Sequence, residues 1–178
     1  MRMFYGSCRL GLHGKPFMLW KFRTMSVDGG SPTASLNDKR LTPIGKWLRR
    51  FKLDELPTLW NLLRWDIAIV GPRPDVPSEY EDLTDETKEI IWSVKPGLIS
   101  PATLWNIDED EYLKDEEDPH KAYLEKIKPY KIALNVWYAE NKSWRLDVKV
   151  IVATSLRLLR LPIPFEVYPQ ELCTQRKR

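Results

Sequence analysis

The chain has 178 residues, of which 43% are hydrophobic and 11% aromatic, and its formal net charge is +3. This composition indicates a globular chain, predicted as one domain over residues 1–178, and excludes a disordered one. Cys8 and Cys173 form no metal-ligand or disulfide pattern, which favours a reducing compartment. The two histidines are isolated, which argues against a histidine metal site. The sequence contains no run of 18 apolar residues, so no bilayer-spanning helix is predicted.

The charge is distributed unevenly along the chain. Residues 1–74 carry 13 Lys and Arg against 5 Asp and Glu, whereas residues 75–178 carry 15 against 20. A basic first part favours an anionic partner, such as a phosphate ligand, an anionic lipid surface or a nucleic acid. A solvated basic face is the common alternative, so charge alone does not choose among them.

The first predicted element is a β-hairpin in residues 9–28, with Gly14 at its turn. An exposed Gly/Ser/Pro-rich loop is predicted over 29–38. Thr42 and Pro43 then mark a helix start, because a hydroxyl caps the first turn and proline suits the first helical position. Helical spacing of the next apolar residues predicts one buried face for this helix, made of Ile44, Trp47, Leu48 and Phe51.

A second short helix is predicted over Asp54–Leu63, with Asp54 as its N-cap and Pro57 in its first turn. A buried strand over 67–70 follows and ends at Gly71-Pro72-Arg73-Pro74, where two prolines fix the backbone on either side of Arg73.

The second half is predicted to be mostly helical. Residues 78–94 form an acidic helical segment, and residues 108–128 begin as an acidic run that continues as helix. An amphipathic helix over about 144–161 carries four cations in one sector of its surface. Packing on the core and binding to a membrane surface are equally consistent with this last pattern.

The adjacent acids Asp54 and Glu55 have two interpretations. As a capping pair they would simply suit the positive end of a helix dipole. In phosphoryl chemistry, a helix N-terminus keeps Asp54 ionised so that it can attack phosphorus. Glu55 then holds Mg²⁺, and arginines clamp the phosphate oxygens. Arg73, held between prolines, and Arg49, five residues before Asp54, are candidates for that clamp.

Several segments in order resemble one family, the bacterial sugar transferases (polyprenyl-phosphate hexose-1-phosphate transferases, or monotopic phosphoglycosyl transferases). The similarity is strongest over residues 9–74. The matching segments are KFRTM (21–25), NDKRLTPIGKWLRR (37–50), LDELPTLWNLL (53–63), DIAIVGPRP (66–74), VKPGL (94–98) and YAENKSWRLDVKVI (138–151).

The resemblance implies transfer of a sugar-1-phosphate from a UDP-sugar to undecaprenyl phosphate, with release of UMP, at the start of surface glycan synthesis. It implies that Asp54 is the nucleophile and that Glu55 helps to bind Mg²⁺. Arg73 and Arg49 match phosphate-contacting positions. Lys21 and Arg23 are assigned more loosely, to the basic side of the site that faces the membrane.

The sequence departs from the family pattern in three places. Family members usually begin with a hydrophobic re-entrant helix, and this sequence starts after that position. A natural form without the anchor and a lost anchor both stay open, and the protein is expected to be soluble if the anchor is truly absent. Residues 98–104 replace a Gly-Thr-Gly run, so the sugar is not predicted. Trp65 stands at a usual turn glycine and Asn135 at a usual aspartate.

We therefore expect a mixed α/β catalytic domain, a small hairpin or sheet with several amphipathic helices, on the cytoplasmic face of the bacterial inner membrane. Its expected partners are a UDP-sugar, undecaprenyl phosphate and the membrane surface, with a homodimer left open. The alternative hypothesis is a catalytically impaired homologue without an anchor that acts as an interaction module in glycan assembly. A nucleic-acid-binding domain ranks last, because no binding motif is recognisable.

Overall fold

A computed structural model describes residues 3–26, 39–51, 53–107, 113 and 117–172. The predicted loop over 29–38 and most of the acidic run that begins at 108 lie outside the described residues. The predicted mixed α/β class is confirmed. The strands are β1 (Phe4–Leu10), β2 (Pro16–Phe22), β3 (Ala68–Val70) and β4 (Gly97–Ile99). The helices are α1 (Pro43–Arg50), α2 (Thr58–Leu63), α3 (Asp85–Trp92), α4 (Pro101–Trp105), α5 (Pro119–Lys126), α6 (Lys128–Asn141) and α7 (Trp144–Leu158).

Strands β1 and β2 form the predicted hairpin, paired antiparallel with Tyr5 opposite Lys21. The turn between them is a 3₁₀ turn in which Gly14 has a φ of 69°, a backbone conformation that favours glycine. Because side chains alternate along a strand, Tyr5, Arg9 and Lys21 lie on one face of the hairpin. Leu19 on the same face is buried, so this face is turned towards the rest of the protein.

Helix α1 begins as predicted, since the Thr42 hydroxyl accepts a hydrogen bond from the Gly45 amide at 2.9 Å. The predicted burial of its apolar face is wrong. Gly45 is the buried residue of α1, and a Cβ there would lie 2.1 Å from the Thr24 carbonyl oxygen. This close contact places the glycine side inward, so Ile44 and Trp47 are 73% and 56% exposed.

The predicted helix over Asp54–Leu63 is also corrected. Leu53–Glu55 is a separate 3₁₀ turn, and α2 begins only at Thr58. Pro57 has no N–H and cannot donate the helical hydrogen bond to Leu53 four residues earlier, so the regular helix starts after it. Asp54 is therefore not the N-cap of α2.

Polar residues make the buried side of α2. Asn61 bridges two points on β2, donating from Nδ2 to the Met18 carbonyl at 2.7 Å and accepting from the Trp20 amide at 3.1 Å. The Thr58 hydroxyl donates to the Trp20 carbonyl at 3.0 Å. These side chains satisfy backbone hydrogen-bonding groups at the free edge of β2. They also hold against it the Leu53–Glu55 turn, which we call the dyad turn because it carries the acid dyad of Asp54 and Glu55.

The turn after α2 carries tryptophan at the usual position of a glycine and keeps a backbone conformation that suits glycine. Trp65 has a φ of 63°, in the left-handed region that favours glycine, and is 77% exposed. The Lys95 ammonium group lies 5.4 Å from the centroid of the Trp65 ring.

Strand β3 pairs in parallel with β4, and two glycines allow their backbones to meet. The Gly71 amide donates to the Ile99 carbonyl at 3.0 Å, and the Gly97 amide donates to the Pro72 carbonyl at 2.9 Å. A Cβ at Gly97 would lie 2.1 Å from the Gly71 nitrogen. This contact fixes the backbone that carries Arg73.

The core lies among α4, α6, α7 and β3. Tyr138 on α6 is fully buried, and its hydroxyl donates to Asp147 Oδ1 at 2.6 Å. Helix α7 packs on this core through Leu146, Val150 and Ala153, while Trp144 at its start is 72% exposed. Both interpretations of this helix thus have support, because one face packs inward and another presents apolar groups to solvent.

We expect Gly97→Ala to lower the free energy of unfolding by about 3 kcal/mol or more, because the new methyl group would meet backbone that cannot move aside. Urea denaturation of the purified chain measures this. Gly11→Ala is the matched control, since its Cβ would meet the Phe17 ring at 3.2 Å and backbone no closer than the Lys15 carbonyl oxygen at 3.4 Å. Equal loss of stability in the two variants would contradict the expectation.

Candidate active site

Glu55 lies between two cations. The Lys21 Nζ atom is 2.8 Å from Glu55 Oε1, and the Arg73 guanidinium binds both carboxylate oxygens, with Nη1 donating to Oε2 at 3.3 Å and Nη2 to Oε1. Burial alone would raise the pKa of Glu55, but Arg73 and Lys21 outweigh burial and hold it well below its ordinary value. Glu55 is therefore ionised and fixes the positions of both cations.

Three separate elements bring this trio together. Lys21 comes from β2, Glu55 from the 3₁₀ turn before α2, and Arg73 from the segment after β3. The structure therefore joins three residues that were all predicted from the sequence to belong to the site. A narrow cleft between them is lined also by Leu19, Ile67 and Pro74.

The Asp54 carboxylate makes no ion pair with any other part of the chain that the structure describes. Burial and the neighbouring Glu55 raise the pKa of Asp54, while Lys21 and Arg49 oppose the rise. Asp54 lies in the 3₁₀ turn and not at the N-terminus of α2, so the prediction that a helix N-terminus keeps this carboxylate ionised is wrong. A raised pKa makes the ionised carboxylate more basic and hence a stronger nucleophile.

The other two predicted phosphate-binding residues lie nearby without touching the dyad through any hydrogen bond that the structure describes. Arg49 donates from Nε to the Thr24 hydroxyl at 3.2 Å, and its Nη2 lies 3.3 Å from the Met25 sulfur. Arg23 lies over the Tyr5 ring, with its Cζ 5.5 Å from the centroid. These contacts hold both arginines beside the hairpin.

Sequence reasoning missed the buried residues that hold the Arg73 segment against α6. Lys131 on α6 lies 2.8 Å from Asp75 Oδ1 and donates to the Tyr123 hydroxyl at 3.1 Å. Both members of this ion pair are largely buried, with side-chain exposures of 13% and 10%. Asp75 directly follows Arg73-Pro74, so the pair ties the arginine segment to α6. Nothing in the residue spacing pointed to a partner 56 positions away.

The predicted Mg²⁺ role of Glu55 stays a prediction, but the residues fit such an ion. Among the residues that the structure describes, no group of three His, Cys, Asp or Glu side chains is assembled. Mg²⁺ is commonly held by one or two carboxylates, with substrate phosphates and water as its other ligands. Asp54 and Glu55 offer that smaller set.

A larger cavity lies elsewhere, beside Leu104 and residues 163–170. Glu166 is the charged side chain in its lining. Because its described lining offers an acid and no basic side chain, this cavity does not suit a phosphate ligand. The cationic cleft at the dyad is the better candidate site.

Comparison with known proteins bears on this site. The profile of the family described as bacterial sugar transferase matches residues 1–161. The chain belongs to the bacterial sugar transferase family. The predictions of this family and of an enzyme, a phosphoglycosyl transferase, are therefore confirmed.

Three relatives illustrate the family. The "uncharacterized sugar transferase EpsL" of Bacillus subtilis is 36% identical over 158 residues, covering 88% of this chain and 70% of the relative. The undecaprenyl-phosphate galactose phosphotransferase of Salmonella typhimurium is 29% identical over 174 residues, covering 88% and 33%. The UDP-glucose:undecaprenyl-phosphate glucose-1-phosphate transferase of Klebsiella pneumoniae is 34% identical over 153 residues, covering 82% and 30%.

The sugar transferase chain thus spans most of the Bacillus relative but only about a third of the other two. No described helix is both long enough and apolar enough to cross a bilayer. The roles of Asp54, Glu55, Arg73, Arg49, Lys21 and Arg23 stay predictions.

We expect substitutions of the two adjacent acids to change stability in opposite directions. The folded-state pKa of Glu55 is lowered, so its stabilising contribution is present at neutral pH and is lost as pH falls below about 4.5. The folded-state pKa of Asp54 is raised, so its ionisation costs stability, and this cost grows as pH rises from the ordinary pKa of 3.8 through the folded-state pKa. At pH 7, Glu55→Gln should lower the free energy of unfolding by about 2 kcal/mol. Asp54→Asn should raise it by less than about 1 kcal/mol, because solvent around the half-buried carboxylate screens part of the effect.

Urea denaturation at pH 7 and in acid measures both effects, with Glu86→Gln, at an exposed position on α3, as the control. Both differences from the unmodified chain should shrink in acid. A stabilised Glu55→Gln variant or a destabilised Asp54→Asn variant at pH 7 would refute this assignment.

Proposed function

We propose that this chain transfers a sugar-1-phosphate from a UDP-sugar to undecaprenyl phosphate and releases UMP. The observation that carries the proposal is the Asp54 carboxylate, which has a raised pKa and no ion pair among the described residues. It directly precedes a carboxylate that holds Arg73 and Lys21 in place. The names of the Salmonella and Klebsiella relatives support the same reaction class.

In the proposed first step, an Asp54 oxygen attacks the phosphorus that carries the sugar. A bond forms between that oxygen and phosphorus, and the bond from phosphorus to the bridging oxygen breaks. The bridging oxygen leaves on UMP, and the phosphosugar stays on Asp54 as an acyl-phosphate. In the second step, an oxygen of undecaprenyl phosphate attacks the same phosphorus, and the Asp54 carboxylate is released.

The four predicted site cations contribute to the proposed reaction in different ways. Arg73 and Lys21, positioned by Glu55, bind phosphoryl oxygens and offset the negative charge that would otherwise repel the carboxylate. Arg49, which opposes the rise in the pKa of Asp54, keeps more of the nucleophile ionised. Arg23, stacked on Tyr5, belongs to the basic surroundings of the site.

We propose Mg²⁺ as the cofactor, held by Glu55 and Asp54 of the dyad. When bound there, the ion would offset charge on the pyrophosphate. Asp54 supplies the attacking oxygen, and Arg73 and Lys21 orient the phosphoryl group. Burial of the dyad limits access of water, which would otherwise hydrolyse the acyl-phosphate.

The membrane surface is proposed as the second partner, because apolar side chains cluster outward beside the dyad. We call this set the exposed apolar surface. Its residues lie on α1, the dyad turn, α2 and the turn after α2: Ile44, Trp47, Phe51, Leu56, Leu59, Trp60, Leu63 and Trp65, each 44–77% exposed. Exposed cations lie between them at Lys46, Arg50 and Arg64.

This mixture of aromatic, aliphatic and basic groups is typical of a surface that lies in the interface of an anionic bilayer. An undecaprenyl phosphate acceptor would present its phosphate at that interface. We therefore place the enzyme on the cytoplasmic face of the inner membrane, where it would start surface glycan synthesis such as that of an exopolysaccharide. A homodimer stays a prediction.

We expect the chain to release UMP when it is incubated in detergent with Mg²⁺, undecaprenyl phosphate and a panel of UDP-sugars. Without the lipid, the accepted sugar should leave a phosphosugar adduct on the intact protein, detected by mass spectrometry. Asp54→Asn should lower turnover by at least about a thousandfold and abolish the adduct, because the attacking oxygen is gone. Chelation with EDTA before the assay tests the Mg²⁺ requirement.

The matched control is Asp85→Asn, which removes a carboxylate that is 95% exposed on α3 and should leave turnover unchanged. UMP release by Asp54→Asn at the unmodified rate would refute the nucleophile. Absence of UMP with every sugar of the panel would refute the transfer reaction and favour the interaction-module hypothesis.

We expect the chain to bind vesicles of phosphatidylethanolamine and phosphatidylglycerol. Trp47→Ser and Trp60→Ser should each weaken binding about tenfold, because each removes a large apolar side chain that would enter the interface. Co-sedimentation measures the bound fraction. Leu124→Ser on α5, where the leucine is 38% exposed, is the control. Binding that is equal in all three variants would exclude this surface as the membrane contact.

A further inference from the structure

Arg9 belongs to the same hairpin face as Lys21 but was not among the predicted site residues. It pairs with Phe17 across the hairpin, four residues along β1 from Tyr5. The adjacent Leu10 amide donates to the Asp75 carbonyl at 3.2 Å, which ties β1 to the segment that carries Arg73. Arg9 is therefore brought to the cationic side of the site by two connections.

Around Arg9, the acids are already paired with other cations, so the site has more positive than negative side chains. Asp75 is paired with Lys131 at 2.8 Å, and Glu55 is shared between Lys21 and Arg73. Arg9 has no ion pair within the described part of the chain, and its Nε atom is buried without a hydrogen-bond acceptor. A buried donor without a partner costs free energy that an incoming acceptor would recover.

The electrostatics agree with this excess. Burial lowers the pKa of the Arg9 guanidinium, Asp75 opposes the change, and Arg73 lowers it further. Burial also lowers the pKa of Lys21, with Arg73 and Arg9 adding to the effect and Glu55 opposing it. Arginine keeps its proton in proteins, so the site holds several mutually repelling cations. A polyvalent anion would relieve that repulsion.

We propose that Arg9 is a further substrate-binding residue, which binds the second phosphoryl group of a diphosphate beside the group bound at Arg73. This inference rests on the proposed function for the position of the first group. Arg73 and Lys21 already share one anionic side chain, so a single phosphoryl group at their position leaves Arg9 unpaired. A diphosphate has the additional oxygens that the Arg9 guanidinium can bind through two N–H groups.

The test is the binding of inorganic pyrophosphate and of orthophosphate, measured by isothermal titration calorimetry. The unmodified chain should bind pyrophosphate more tightly than orthophosphate. Arg9→Met should weaken pyrophosphate binding more than tenfold and change orthophosphate binding less than twofold. Arg9→Lys keeps the charge without the planar guanidinium, so its pyrophosphate affinity should lie between those of the unmodified chain and Arg9→Met. The charge-loss control is Lys121→Met on α5, where the side chain is 70% exposed.

Equal pyrophosphate affinity in Arg9→Met and the unmodified chain would overturn the proposal. Equal weakening of both anions would overturn it too, since that result indicates general attraction without a second subsite. If Arg9→Met does not fold, the proposal is tested by NMR on the unmodified chain, through the Arg9 Nε–H resonance. Its shift on titration with pyrophosphate supports the proposal, and its constancy refutes it.

These outcomes are separable from those of the transfer reaction. Arg9-dependent pyrophosphate binding without UMP release would refute the proposed transfer and retain the anion subsite. If the chain releases UMP but Arg9→Met does not change its pyrophosphate affinity, the proposed transfer stands and the Arg9 subsite is refuted.

Discussion

The site depends on one carboxylate, Glu55, shared between Lys21 and Arg73. These cations come from β2 and from the segment after β3, and each would repel the other without the acid between them. The two glycines where β3 meets β4 fix the backbone of Arg73, and the Lys131–Asp75 pair ties the same segment to α6. The architecture thus places a fixed set of cations beside Asp54, whose own carboxylate makes no ion pair with the described residues.

The same region reverses the usual arrangement of helices. In α1 and α2 the small and polar residues Gly45, Thr58 and Asn61 face inward, and the apolar residues face out. Backbone groups of Thr24 and β2, which need close contacts and hydrogen bonds, lie beneath these helices. The inward side of these helices therefore makes the hydrogen bonds and close contacts that the backbone beneath it needs. The outward apolar side has no such partner in the described part of the protein and suits an apolar environment.

The sequence predicted the hairpin, the Thr42 cap and the strand before Arg73, because each rests on local chemistry. It also supplied every member of the Lys21–Glu55–Arg73 cluster, but not their contact, which depends on pairing between distant segments. Helical spacing located the apolar faces of α1 and α2 but could not give their direction, since periodicity is the same for a buried face and an exposed one. Arg9 was missed because its role depends on the hairpin register and on acids already paired elsewhere.

The hydrogen bonds of Asn61 to β2 have a mechanical consequence. Asn61 lies on a helix whose other side carries Leu59, Trp60 and Leu63, so that one rigid unit joins the exposed apolar surface to the strand of Lys21. In the proposed reaction, the bilayer would then set the height of Asp54 above the lipid headgroups. An enzyme held at constant depth meets a lipid-borne acceptor by searching a plane, and the acceptor never has to leave its bilayer.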